Sequence, residues 1–237
     1  MSLPAEILDA GLPPLLIEHL KACVAAGLDG RALAHIKAEP RQAADAMKRL
    51  FATASRLTSL SPDEVLLRTD LGVGDLRGHR VDGALAELRS ICFLGALGFT
   101  RITPLAADDK RPRADLTAEK DGERWAVDAR CASRTLLPEA SFRRGSDGSP
   151  LPFPTLYAYL VHVRDEKAEQ LERTRKDEGC TRSAVAIALD GDAPGALMRS
   201  EALKAWLACG SPGEFRFGLM AGLLSAGSSD DCLVPAP

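Results

Sequence analysis

The chain has 237 residues, a length that suits one large domain or a small helical domain followed by a core of about 150 residues. Hydrophobic residues make up 46%, so a sizeable apolar core can be buried. The formal net charge of −3 argues against the overall basic excess of avid nucleic-acid binders, although it allows a local basic patch. The aromatic content of 5% argues against a base-stacking platform for single strands.

The cysteines and the N-terminus indicate the compartment. None of the six cysteines is spaced as C-x-x-C or as a zinc ligand set, which predicts reduced, buried thiols. The N-terminal segment MSLPAEILDA lacks the basic region of a signal peptide, and no uncharged stretch reaches the length of a membrane span. We therefore expect a cytoplasmic protein that does not enter a membrane.

Residues 1–72 predict a helical region. Apolar residues recur at helical spacing after Pro13-Pro14, and a second helix is predicted from about Arg41 to Leu57. The segment from Ser61 to Glu64 predicts a third helix, in which serine caps, proline takes the first position and glutamate completes a capping box. Three glycines between Asp70 and His79 place a domain boundary there.

Residues 82–237 predict a mixed α/β domain. Asp82 is expected to cap the helix that opens it. That helix is expected to end at Gly98, and strands follow at about 100–105, 114–119 and 124–132. A loop over 134–155 leads to a long helix at about 155–178 and a buried strand at 183–189. A helix near 195–208 and strands near 215–224 and 231–235 complete the chain. The order of helix, three strands, helix and strand predicts an α/β sandwich with a mixed sheet.

A hairpin with Asp121-Gly122 at its turn carries the candidate site. If these two residues form the turn, Asp115 lies directly opposite Asp128, and Arg113 lies opposite Arg130. Directly opposed side chains have Cβ atoms about 4.5–5.5 Å apart, so two carboxylates in this position can share a divalent metal ion.

Strand alternation assigns the faces of this hairpin. It places Ala114 and Leu116 on one face, and Asp115, Asp128 and Arg130 on the other. The same register also allows crossed ion pairs, from Asp115 to Arg130 and from Arg113 to Asp128, that need no metal. Spacing alone favours this simpler interpretation.

Two helical residues add to the candidate site. Glu87 falls inside the apolar arc of the helix after Asp82, where a carboxylate is costly unless it is paired or bound to metal. The alternative is a glutamate at the helix edge that reaches solvent. Lys167 and Gln170 on the long helix can reach the same site, or can belong to a solvated face.

These features together resemble the PD-(D/E)XK nuclease superfamily, over residues 82–190. The residues that match the family motif are Ala114-Asp115, Asp128-Ala129-Arg130 and Glu87. The resemblance implies a restriction-endonuclease-like α/β/α core with a mixed sheet. It also implies Mg²⁺ or Mn²⁺ held by Asp115, Asp128, the Ala129 carbonyl and Glu87.

Arg130 stands where this family has its catalytic lysine. Arginine keeps the positive charge and can clamp a phosphate, but it cannot accept a proton. Activity would then depend on metal-bound water with Arg130 acting electrostatically, or Lys167 would supply the missing amine, or the site would be inactive. In an active enzyme of this kind, Arg113, Arg134, Arg143 and Arg144 are expected to contact a nucleic-acid backbone. The alternative for the three arginines of the 134–155 loop is a solvated basic loop.

The sequence is compatible with three functions. The first is a metal-dependent nuclease, with DNA as the expected substrate. The second is an inactive module of the same fold that binds nucleic acid or a partner protein. The third is an interaction role for residues 1–72, through which the chain would form a homodimer or bind a protein.

Overall fold

A computed structural model of the chain describes residues 2–28, 30–69, 71, 78–106, 112–132, 143–144, 150–151, 155–189, 215–229 and 231–235. The helices are α1 (Ala5–Leu8), α2 (Pro14–Ala25), α3 (Arg31–Ala38), α4 (Pro40–Thr58), α5 (Pro62–Leu67), α6 (Gly78–Ala96) and α7 (Thr155–Glu178). The strands are β1 (Thr100–Pro104), β2 (Leu116–Lys120), β3 (Glu123–Cys131), β4 (Arg143–Arg144), β5 (Pro150–Leu151), β6 (Arg182–Leu189), β7 (Phe215–Ala221) and β8 (Cys232–Pro235). Within these ranges no helix is both long and apolar enough to cross a bilayer.

Two predictions fall wholly or partly beyond this description. Arg134 and the helix expected near 195–208 lie outside the described residues. Arg143 and Arg144 form β4, which pairs with β5 in a separate two-stranded sheet, but their side chains are not described. Contacts between these three arginines and a nucleic-acid backbone therefore stay predictions.

The capping box at the start of α5 is confirmed. The Ser61 hydroxyl accepts a hydrogen bond from the Glu64 amide at 3.2 Å, and the Glu64 carboxylate accepts one from the Ser61 amide at 2.8 Å. The box satisfies backbone donors that a helix start leaves without intrahelical partners.

Asp82 caps a different helix from the one expected. Because α6 begins at Gly78, Asp82 lies inside it and is buried. Its carboxylate accepts hydrogen bonds from the amides of Arg31 at 2.7 Å and Ala32 at 2.9 Å, which are the first two residues of α3. The residue before α3 is Gly30, which has no side chain to cap with, so α6 provides the acceptor.

The main sheet has six strands in the order β1-β2-β3-β6-β7-β8. β1, β2 and β3 form an antiparallel meander, β3, β6 and β7 run parallel, and β8 is antiparallel to β7. The helix α7 makes the crossover between the parallel strands β3 and β6. The predicted α/β class with a mixed sheet is confirmed.

Helices cover both faces of this sheet. On one face Val127 belongs to a cluster that includes the apolar side of α6 and continues into the N-terminal helices, for example to Leu16 and Met47. On the other face Ala126 and Val185 pack with Leu171 of α7. Alternate residues of β3 therefore point to opposite helical layers, and Asp128, which pairs with Val185, faces α7.

Candidate functional site

The hairpin of β2 and β3 has the predicted turn. Asp121 and Gly122 both have positive φ, 54° and 78°, as a two-residue type I′ turn requires. Strand pairing runs from Lys120 with Glu123 to Leu116 with Val127, which is the predicted register.

The register slips by one residue just beyond Leu116. The Asp115 amide donates to the carbonyl of Val127 at 3.1 Å, instead of pairing with residue 128. Ala114 consequently packs in the α7-side cluster with Ala126, while Leu116 packs on the α6 side. The prediction that Ala114 shares a face with Leu116 is therefore wrong. The Asp115 backbone pairs with Val127 and not directly with Asp128.

The helix α7 holds the segment before β2 in this shifted position. The Thr174 hydroxyl accepts a hydrogen bond from the Ala114 amide at 2.8 Å, and the Gln170 side chain donates to the Arg113 carbonyl. The Arg113 guanidinium donates to the Ala106 carbonyl at 2.7 and 3.0 Å. The predicted opposition of Arg113 and Arg130 is therefore wrong, because the pairing with β3 slips at Asp115 and Arg113 bonds to α7.

The Asp115 side chain contacts the backbone of β3 beside Asp128. One oxygen of its carboxylate, Oδ2, accepts a hydrogen bond of 2.6 Å from the amide of Ala129. This bond anchors the Asp115 carboxylate beside the residue that follows Asp128.

Asp128 is the buried centre of the site, with 1% of its side chain exposed. Its Oδ1 accepts hydrogen bonds from Lys167 Nζ at 2.8 Å and Gln170 Nε2 at 2.9 Å. Among the described residues its Oδ2 accepts none, and Arg130 Nε lies 3.8 Å from it. Burial raises the pKa of the Asp128 carboxyl, and the positive charges of Lys167 and Arg130 oppose this only in part.

Arg130 faces α7 as well, where it pairs with Glu166. Its Nη1 donates to Glu166 Oε2 at 3.1 Å, and its Nη2 donates to Glu166 Oε1. This contact with Arg130 lowers the pKa of Glu166. The partner of Arg130 on α7 is thus a carboxylate that the sequence analysis did not name.

Glu87 is buried, as the helical pattern predicted, with 4% exposure. It lies on α6, which packs against the opposite face of the sheet from Asp128. Over the part of the chain that the structure covers, no three or more histidine, cysteine or acidic side chains are grouped to hold a metal ion. Glu87 on α6 and Asp128 on β3 therefore lie on different faces of the sheet, and their joint binding of a metal ion stays a prediction.

Sequence reasoning missed Glu166 and Thr174, although it named the helix that carries them. Lys167, Gln170 and Thr174 are spaced by three and four residues, so they share one face of α7. That spacing of polar residues was the available signal. Nothing local marks Glu166, whose role depends on the position of Arg130.

The described site contains two ion pairs. Asp128 pairs with Lys167 and Glu166 pairs with Arg130, and Gln170 links the lysine to the aspartate through hydrogen bonds of 2.9 Å to each. The unfilled acceptor is Asp128 Oδ2. Such a site can bind a cation at that oxygen or an anion at the arginine and lysine.

Comparisons of the chain with protein-family models, with curated proteins and with solved structures gave no match.

Proposed function

We propose that this chain is a metal-dependent nuclease of the PD-(D/E)XK type whose active-site lysine lies on α7 instead of β3. The observation that carries this proposal is the 2.8 Å hydrogen bond between Lys167 Nζ and Asp128 Oδ1. It supplies an amine at the carboxylate of Asp128-Ala129-Arg130, where the strand itself offers only arginine.

The order and pairing of the elements support a restriction-endonuclease-like core. α6 precedes an antiparallel meander of three strands, and α7 then leads to β6, which is parallel to β3. This is the arrangement that the sequence resemblance implies for residues 82–190.

The donor set at Asp128 suits a hard divalent cation. A buried carboxylate oxygen without a hydrogen-bond donor is costly, and a bound cation would compensate that cost. Asp128, Asp115 and the Ala129 carbonyl are the residues that would hold Mg²⁺ or Mn²⁺, since both ions prefer oxygen ligands. When bound, the ion supplies charge neutralisation at the phosphate and a more acidic water.

Lys167 and Arg130 have different parts in this proposal. A lysine ammonium has three N–H donors, and Asp128 and Gln170 take two of them. The third can donate to the attacking water or to a phosphate oxygen. Arg130 keeps its charge throughout and stabilises the phosphate, because it cannot act as a base.

The two ion pairs of the site support a second candidate function, a nuclease-fold module that binds nucleic acid or a protein without cleaving it. Lys167 and Arg130 already pair with Asp128 and Glu166 without a metal ion. A divalent cation at Asp128 must overcome the repulsion of these two neighbouring positive charges.

Cleavage assays separate these two functions. The full-length protein is incubated with supercoiled plasmid or single-stranded RNA and with Mg²⁺ or Mn²⁺. We expect cleavage that falls by about 100-fold or more in Lys167→Gln and Asp128→Asn, since each removes a group that acts on the transition state.

Lys176→Gln is the matched control, because Lys176 is on the same helix but is 73% exposed and pairs with Glu172. It should cleave as the wild type does. Wild-type rates in Lys167→Gln would overturn the proposed role of Lys167. Absence of cleavage together with absence of Mn²⁺ binding in calorimetry would favour the binding module.

A further inference from the structure

The contact between Arg130 and Glu166 resembles the contact that a substrate phosphate would make. Two guanidinium nitrogens of Arg130 donate to the two carboxylate oxygens of Glu166. Arginine uses the same paired donors to hold two oxygens of a phosphate. Glu166 therefore occupies the part of Arg130 that is best suited to a phosphodiester.

This part of Arg130 lies close to the proposed reaction centre. Arg130 is two residues from Asp128, and its Nε lies 3.8 Å from Asp128 Oδ2. Its side chain is 21% exposed and that of Glu166 is 44% exposed, so an anion from solvent can reach the pair. A phosphate that reaches Arg130 from solvent would meet the carboxylate of Glu166 and be repelled by it.

We propose that Glu166 is a displaceable stand-in for a nucleic-acid phosphate at Arg130, so that its carboxylate competes with substrate and weakens binding. This inference rests on the proposed function, because it takes the phosphodiester of a nucleic acid as the ligand. Glu166 is then a residue that sets substrate affinity, and it takes no part in the chemistry.

His162 offers an alternative contact for the displaced carboxylate. It precedes Glu166 by one helical turn, and its Nε2 lies 3.6 Å from Glu166 Oε2. Both side chains are exposed enough to move, His162 at 69%. Glu166 can thus leave Arg130 without losing every polar neighbour, which keeps the cost of displacement low.

The test measures binding without cleavage. Full-length protein is titrated into a fluorescein-labelled DNA duplex in EDTA, and fluorescence anisotropy gives the dissociation constant. We expect Glu166→Gln to bind about three- to tenfold more tightly than the wild type, since it removes a competing charge and an ion pair of modest strength.

Glu169→Gln is the matched control. It changes the net charge equally, and Glu169 lies on the same helix, but it is 88% exposed and pairs with Arg173 at 2.8 Å. Its affinity should stay within about twofold of the wild type, which measures the general effect of charge. Adding Arg130→Gln to Glu166→Gln should remove the gain.

Several outcomes would overturn the inference: no gain over Glu169→Gln, weaker binding, a gain that survives Arg130→Gln, or no DNA binding by any of the proteins. Weaker binding would show that Glu166 only positions Arg130. Thermal melts check folding, and Glu166→Ala repeats the test with a second side chain. Tighter binding by Glu166→Gln in a protein that never cleaves would sustain this inference and defeat the nuclease proposal.

Discussion

Asp128 shows how burial and pairing compete at a single residue. Its carboxylate is almost completely withdrawn from water, and only one of its oxygens accepts hydrogen bonds within the described residues. Withdrawal from water disfavours the ionised form, while Lys167 favours it. The loss of hydration is the larger effect, so the pKa of Asp128 lies above its ordinary range.

The raised pKa of Asp128 predicts a pH dependence of stability. The folded chain binds this proton more tightly than the unfolded chain, so the stabilisation is present at acidic pH and is lost as pH rises through the folded-state pKa. Asn cannot titrate. The melting temperature of the wild type relative to Asp128→Asn should therefore rise as pH falls from neutral toward the ordinary aspartate pKa of about 3.9.

Thermal melts of both proteins in metal-free buffer, followed by circular dichroism, measure this difference. Asp63→Asn is a suitable control, because Asp63 is exposed at the start of α5. If the wild-type melting temperature minus that of Asp128→Asn falls as pH falls, the raised pKa of Asp128 is contradicted.

At the scale of elements, α6 approaches the sheet very closely at one glycine. A Cβ atom added to Gly218 of β7 would lie 2.5 Å from Cε1 of Phe93 and 3.4 Å from Cα of Ala186. The Phe93 ring is buried and cannot swing into solvent. The absence of a side chain at Gly218 therefore leaves room for the Phe93 ring of α6 to pack against β7.

Gly218→Ala should lower the free energy of unfolding by about 1–3 kcal/mol, the usual cost of overpacking a core. Urea denaturation measures the change. Combining it with Phe93→Leu should cost less than the sum of the two single changes, because the smaller side chain makes room for the new methyl group.

Gly227→Ala provides the control, since a Cβ there has no neighbour within 4 Å. Strict additivity of Gly218→Ala and Phe93→Leu would show that the helix and the strand are not in the described contact.

At the scale of the whole molecule, the N-terminal helices and the sheet share one hydrophobic cluster. Polar contacts reinforce this connection. The buried Arg31 of α3 donates to the carbonyls of Ala132 and Ala188, at the ends of β3 and β6, while Asp82 of α6 caps α3. Separating residues 1–72 from the rest would expose this cluster to water and remove the Arg31 contacts.

The predicted boundary near residues 70–79 can be tested by deletion. We expect the full chain to melt in one cooperative transition, and the fragment 73–237 to lose that transition and become sensitive to protease, because it loses the apolar layer over α6. Calorimetry and limited proteolysis measure both properties. A fragment that melts cooperatively at the temperature of the full chain would show two independent domains.

Much of the fold was predictable from short stretches of sequence. The turn at Asp121-Gly122, the capping box at Ser61 and the bounds of α7 and β6 follow from local residue types and from hydrophobic periodicity, which act between near neighbours in the chain. The burial of Glu87 follows in the same way from its position on a helical wheel.

The candidate site was predictable only in part. Asp128, Arg130 and Lys167 were named from their positions on β3 and α7, yet the slip at Asp115, the pairing of Arg130 with Glu166 and the capping of α3 by Asp82 were not. Each of these depends on how a helix lies against a strand or another helix far away in sequence. Buried hydrogen-bonding groups bind whichever partner the packing brings close. The packing of the layers therefore decided these contacts. The sequence by itself determined which helices and strands contain the residues that make them.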